Sequence, residues 1–340
     1  MIKTCLKIVV FFLCLFVGTV CCSKTDAEPK TENSTPENPT PDPDTEKEEN
    51  YVVAYLIAEE YASGNVRWDA ITHLNVSFLF PNEDGTLSDA SLRNNIAQIV
   101  SEAHKHQVKV IVSMRDAAEK QFANAIIYNK SKLADNLLKY VEKNNLDGFD
   151  IDFEDWSVNN VATHLLLFSK ELHDKKKETV LQTCAVNTWD RGYTKEWHTY
   201  YDIINVMSYD WHGPWNSEGQ HAPFNESIQS IEFWKKEMGA PAGKLTLGLP
   251  FYGYSWNKGD APGTAYRYSE ILTKYPDKDV HSVDQIDKLY YNGKATIERK
   301  CLWAKENKIG GVMIWQIGQD AKRDEDSLLK AIGNIMLEKP

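Results

Sequence analysis

Four carboxylates fall within eight residues in the stretch DGFDIDFE, Asp147 to Glu154. A β-strand sends successive side chains to opposite faces, so Asp150, Asp152 and Glu154 point one way and Phe149, Ile151 and Phe153 the other. Acids stacked along one face disfavour one another's ionisation and raise at least one pKa. A raised carboxyl pKa is what a general acid working near neutral pH requires. The spacing therefore suggests proton donation to a leaving group. The regular apolar face argues against a solvated acidic edge or a calcium loop, and for a strand covered by helices.

Such a strand needs a scaffold, and the chain supplies repeated strand-like runs: Val52–Ile57, His73–Phe80, Lys109–Ser113, Gly148–Phe153, Val180–Val186, Ile203–Ser208, Leu245–Leu249 and Gly311–Trp315. Amphipathic stretches lie between several of them, among them Ala90–His104, Lys130–Asn144, Val161–Lys176 and Asn225–Met238. Strands alternating with helices predict an α/β fold, a parallel (β/α)₈ TIM barrel, with a doubly wound open sheet as the alternative. In a barrel, chemistry gathers at the C-terminal ends of the strands. Glu154 closes the fourth run, Tyr209 and Asp210 follow the sixth, and Trp315 ends the eighth. Separate segments thus deliver acids and aromatics to one rim.

The DxxDxDxE pattern of Asp147 to Glu154 resembles the signature of glycoside hydrolase family 18, the chitinases and related endo-β-N-acetylglucosaminidases. MSYDWHGPW (Met207 to Trp215), GAPAGKLTLGLPFYG (Gly239 to Gly253) and GGVMIWQIGQD (Gly310 to Asp320) resemble further segments of that family. The resemblance implies that Glu154 protonates the glycosidic oxygen and that Asp152 holds the substrate's 2-acetamido group against the anomeric carbon. Asp150 would share a proton with Asp152 in a coupled titration. The acetamido oxygen would be the nucleophile, giving an oxazolinium ion and net retention, an exception to the usual two-carboxylate scheme. Tyr209 would offer its phenol to the same group. Asp210 and Met207 would contact the sugar, and Trp315 would form the floor beneath it. Tyr55 and Phe78 match aromatics of the cleavage subsite, though a place in the barrel core suits them equally. Trp211, with Trp215, Trp189 and Trp256, falls after strands where further sugars would stack. Asp147, on the opposite parity, is expected to be structural.

The chain departs from the family where the third strand usually ends in SxGG. Here it reads SMRD, so Ser113 is kept and the glycine pair becomes Arg115-Asp116. Larger chitinases also insert a small α/β subdomain before the eighth strand. The segment from Tyr254 to Ile309 leaves little room for a full insert, so a shallow, open groove is expected.

The first fifty residues have a different character. Lys3 and Lys7 precede an apolar run from Ile8 to Val20 and then Cys21 and Cys22, a signal peptide with a lipobox-like end. Residues 1–21 are read as the signal, Cys22 as the lipidation site (Cys21 as the alternative), and 22–50 as a tether. That tether is Pro-, Thr- and acid-rich, with almost nothing to bury. Residues 51–340 form the catalytic barrel. The expected location is the bacterial cell envelope, lipid-anchored to the outer membrane on its periplasmic or surface face. Much of the formal net charge of −11 sits in the tether, and the mildly acidic domain disfavours nucleic acid as a partner. Cys184 and Cys301 lie in apolar settings and read as buried free thiols. Neither CxxC nor HExxH occurs, and no metal or cofactor is implied.

The expected partner is a polysaccharide or glycan containing N-acetylglucosamine. Three functions remain open: a retaining hydrolase of β-1,4-linked chitin chains, an endo-β-N-acetylglucosaminidase acting on N-glycan cores, and a non-catalytic chitin-binding barrel. Retention of Glu154 favours the enzymes.

Overall fold

The computed structural model describes residues 50–62, 66–189 and 192–337. The signal segment, Cys21, Cys22 and residues 23–49 of the tether lie outside the described residues.

Eight parallel strands close into a barrel: β1 (Tyr51–Ile57), β2 (His73–Pro81), β4 (Lys109–Arg115), β5 (Gly148–Asp152), β6 (Leu181–Val186), β7 (Ile203–Val206), β8 (Leu245–Pro250) and β13 (Gly311–Trp315). Each pairs with the next, β13 pairs with β1, and the β1–β2 ladder is part of the ring. A short β3 (Leu87–Ser88) folds back on the end of β2. The eight strand runs read from the sequence are these eight strands. Their hydrophobic content follows from burial on both sides, by the helices outside and the barrel interior within.

The outer layer is built by α1 (Ile96–Lys105), α2 (Gln121–Tyr128), α3 (Lys130–Lys143), α4 (Val161–Lys175), α5 (Phe224–Lys236), α7 (Lys294–Glu306) and α8 (Leu328–Met336). Phe149, Ile151 and Phe153 face this layer and are buried, with Phe153 edge-on to Phe122 and Trp156. The helix expected from Ala90 begins instead at Ile96. Before it, Ser91 Oγ donates to Phe78 O at 2.7 Å and Asn95 Nδ2 to Ala58 O at 2.6 Å. Short polar side chains bonded elsewhere hold this segment in turns rather than helix. Cys184 and Cys301 are buried free thiols.

Between β8 and β13 the chain does build an insert, though a compact one. It is a four-stranded antiparallel sheet of β9 (Tyr252–Ser255), β10 (Thr264–Arg267), β11 (Gln285–Ile286) and β12 (Leu289–Tyr290), with α6 (Tyr268–Lys274). Buried Lys300 ties it to the loop after β7, donating to Ala222 O at 2.9 Å and to Asn292 Oδ1 at 2.8 Å.

At the N-terminal end of the barrel, Asp147 accepts from Val110 N at 2.8 Å and contacts His104 Nε2 at 2.8 Å and Lys109 Nζ at 3.3 Å. This first acid of the cluster is a clamp far from the rim, as its parity implies. Asn50 Nδ2 donates to Met336 O at 3.3 Å, so the two ends of the described chain meet at this same face.

Candidate active site

The barrel interior is polar where most barrels are aliphatic. Asn75, Ser77, Ser113, Asp150, Thr183, Asn205 and Thr246 are all buried there. Register explains their meeting: Ser77 lies beside Ser113, Ser113 beside Asp150, and Asp150 beside Thr183 on successive strands.

Asp150 is the hub of this layer. Its Oδ2 accepts from Tyr55 Oη and Ser113 Oγ, each at 2.8 Å. Its Oδ1 accepts from Thr183 Oγ1 at 2.6 Å and from Asn205 Nδ2 at 3.5 Å. Burial raises the Asp150 carboxyl above its ordinary range, while the four donors pull it back. Thr246 Oγ1 fixes Asn205 in turn, donating to Asn205 Oδ1 at 2.8 Å.

Asp152 is buried one step nearer the rim, and its Oδ1 has no hydrogen-bond partner. Its carboxyl is pushed well above the carboxylate range by burial first and by the charge of Glu154 next, with Arg115 opposing. The raised acid inferred from the stacked carboxylates is therefore found most strongly on the middle member. Glu154 lies just beyond the strand and is open to solvent, with Oε1 at 3.1 Å from Arg115 Nη2. Asp116, which follows Arg115, accepts from Phe122 N at 2.8 Å, while its Oδ2 is buried without a partner. Burial pushes its carboxyl up to about 6.

Opposite these acids, Tyr209 is buried with its hydroxyl 3.9 Å from Met313 Sδ. Burial and then the charges of Asp210, Asp152 and Glu154 push its phenol well up, so it remains a neutral donor. Gly248 lets this end of β7 come close: a Cβ there would lie 2.4 Å from Val206 O and 3.0 Å from the Tyr209 ring. Asp210 has a left-handed backbone (φ 67°) and accepts from Tyr252 Oη at 2.6 Å, with His221 Nδ1 at 3.4 Å.

Trp315 stands between Tyr55, at 5.7 Å and tilted 58°, and Phe78, at 5.7 Å and stacked at 23°. Tyr55 is buried, with its ring packed against Trp315 and its hydroxyl in the core. Met207 packs against the interior cluster beside Trp315. The outer tryptophans divide. Trp211 is partly buried edge-on to Trp189, whereas Trp215 and Trp256 both pack on Tyr254 of the insert. A cavity of about 420 Å³ opens between Trp315 and that insert, lined by Asp210, Tyr252, Tyr254, Tyr266 and Arg267 among others. The insert is small, but it walls one side of the site.

Reading the sequence for motifs missed Thr183, Asn205, Tyr252 and His221. Thr183 and Asn205 carried a signal, being polar at inward-facing positions of otherwise apolar strands. Tyr252 and His221 are joined to Asp210 only by folding. Among the described residues no cluster of His, Cys, Asp and Glu is arranged to hold a metal ion.

A closed parallel barrel with an acid ladder on one strand and aromatics at its rim defines a class of carbohydrate-active proteins, and comparison with known proteins agrees. The profile of glycosyl hydrolases family 18 matches residues 51–320. The chain belongs to that family. A chitinase from Bacteroides thetaiotaomicron superposes with a TM-score of 0.81 at 35% identity, covering 86% of this chain and 97% of the other. A family 18 chitinase from the chitin utilization locus of Flavobacterium johnsoniae gives 0.74 at 32% identity, covering 85% and 94%. In sequence, a glycosylase of Bacillus subtilis is 25% identical over 296 residues, 75% of this chain and 82% of its own.

Proposed function

We propose that this chain is a retaining glycosidase that cleaves the β-1,4 bond following N-acetylglucosamine in chitin-type chains, with the substrate's acetamido oxygen as nucleophile. The observation that carries the reading is Asp152, a buried carboxyl with a raised pKa and an unpartnered oxygen, next to a solvent-facing Glu154. An acetamido N–H offers that oxygen the partner it lacks. Glu154 donates its proton to the glycosidic oxygen as the bond to the anomeric carbon breaks. The acetamido oxygen attacks that carbon from the other side, and the neutral Tyr209 phenol steadies the group. Water, deprotonated by the Glu154 carboxylate, then opens the oxazolinium ion, so the configuration is retained. Trp315 forms the sugar's floor. Membership of the family and the likeness to two chitinases above 30% identity support the substrate class.

The ion pair of Arg115 with Glu154 favours a second reading, a sugar-binding barrel that no longer hydrolyses. Product analysis on chitin oligosaccharides separates the two: shorter oligosaccharides of retained β-configuration support the enzyme, and intact substrate supports the binding protein. From residues 1–50 alone, we also propose a lipid anchor at Cys22 in the bacterial envelope. Incorporation of a fatty-acid probe that is lost in Cys22→Ser tests it, with Cys21→Ser as the companion variant.

A further inference from the structure

Arg115 ends β4 where the family pattern has glycine. Its guanidinium lies over the Phe78 ring, 4.9 Å from the centroid, and Phe78 in turn stacks on Trp315. Its Nη2 reaches Glu154, and with side chains 35% and 41% exposed the pair stands at the open mouth of the site. Around it are Asp116 on its own segment, Asp152 and Glu154 on the neighbouring strand, and Asp155 beyond.

This arrangement fits poorly with a wholly neutral substrate. A chitin chain offers no charge for the guanidinium to read. The pair also ties up an oxygen of Glu154 at the mouth, which a substrate group that took over the guanidinium would release. A planar guanidinium supported on an aromatic face is suited to bidentate bonding with another carboxylate.

We infer that Arg115 is a specificity-determining residue for a carboxylate carried by the substrate beside the cleaved bond. The ligand class is an N-acetylglucosamine-containing glycan whose neighbouring sugar bears an acidic substituent. In the complex the guanidinium exchanges Glu154 for the substrate's carboxylate, and Glu154 is left unpaired. The inference rests on the proposed reading of this mouth as the place where the sugar chain binds.

The test compares kcat/KM on chitotetraose with that on a tetrasaccharide of alternating N-acetylglucosamine and N-acetylmuramic acid, whose lactyl group supplies the carboxylate. The wild-type protein should prefer the acidic glycan by about tenfold or more, the scale of a charge-assisted hydrogen bond, and the preference should shrink with added salt. Arg115→Gln should bring the ratio close to one, and Arg115→Lys should recover part of it. Calorimetric binding of both glycans to Glu154→Gln, with and without Arg115→Gln, runs in parallel. Equal wild-type values on the two glycans, or an unchanged ratio in Arg115→Gln, would overturn the inference. Absence of hydrolysis, with an Arg115-dependent preference retained in binding, would keep the inference and sink the enzyme reading instead.

Discussion

The hydroxyl of Tyr55 donates to Asp150 at 2.8 Å, joining the first barrel strand to the acid ladder 95 positions later in the chain. This bond uses the polar end of a residue whose ring touches Trp315, so one buried side chain links the acid ladder to the tryptophan that ends the last strand. Tyr55→Phe keeps the ring and removes one of the four donors to a buried carboxyl. The expected cost is about 1–3 kcal/mol of stability, measured by denaturant unfolding. A loss under roughly 0.5 kcal/mol would mean that the other three donors suffice.

Glu154→Gln should lose roughly 10²–10⁴ in kcat, because the amide keeps the shape of the acid but has no proton to give. Affinity for chitin oligosaccharides should survive. Turnover above a tenth of wild type would remove Glu154 from the role.

Asp152→Asn should impair formation of the oxazolinium ion rather than substrate binding. A thiazoline analogue of N-acetylglucosamine, shaped like that ion, should inhibit the wild-type protein competitively and the variant at least tenfold less, as expected when a charge-assisted contact is lost. Trapping of a covalent glycosyl-enzyme with a fluorosugar would point to an ordinary carboxylate nucleophile.

Asp116 gives a pH signature. Its folded-state pKa, about 6, lies above its ordinary 3.8, so between these values the folded protein binds more protons than the unfolded chain. The stability associated with the neutral acid is full below pH 3.8 and is lost as pH rises through about 6. Asp116→Asn, fixed in a neutral form, should be more stable than wild type at pH 7 by about 1–2 kcal/mol, after allowance for partial exposure. The two proteins should converge near pH 4. Parallel unfolding curves at both pH values would contradict this.

On substrate, chitotetraose should be cleaved with a higher kcat/KM than a high-mannose glycopeptide, by about tenfold. The insert wall formed by Tyr254 and Trp256 suits a linear chain better than a branched one. Each sugar contact is worth only a few kcal/mol, so a loop or two decides the matter. A higher value for the glycopeptide would move the protein to N-glycan cores and leave the catalytic residues standing.

What was legible in the sequence follows from periodicity. Period two fixed the parity of Asp150, Asp152 and Glu154 against Phe149, Ile151 and Phe153, and alternation of strand and helix implied the barrel. Strands of two to four residues, as in the insert, are too short to display a period, so its small sheet could not be read. The pairing of Arg115 with Glu154 was also hidden. Only the β4–β5 register, which sets Arg115 beside Asp152, brings the two side chains together. The four donors to Asp150 were hidden in the same way, because they come from four other strands that only folding gathers around it.

The contact between Asn50 and Met336 has a bearing on how the protein can be mounted. Both described ends leave the barrel at the floor opposite the cleft. Immobilisation through either end, on a bead, a sensor chip or a cell, would therefore present the mouth outward. A long substrate fibre could then lie across it without passing the support.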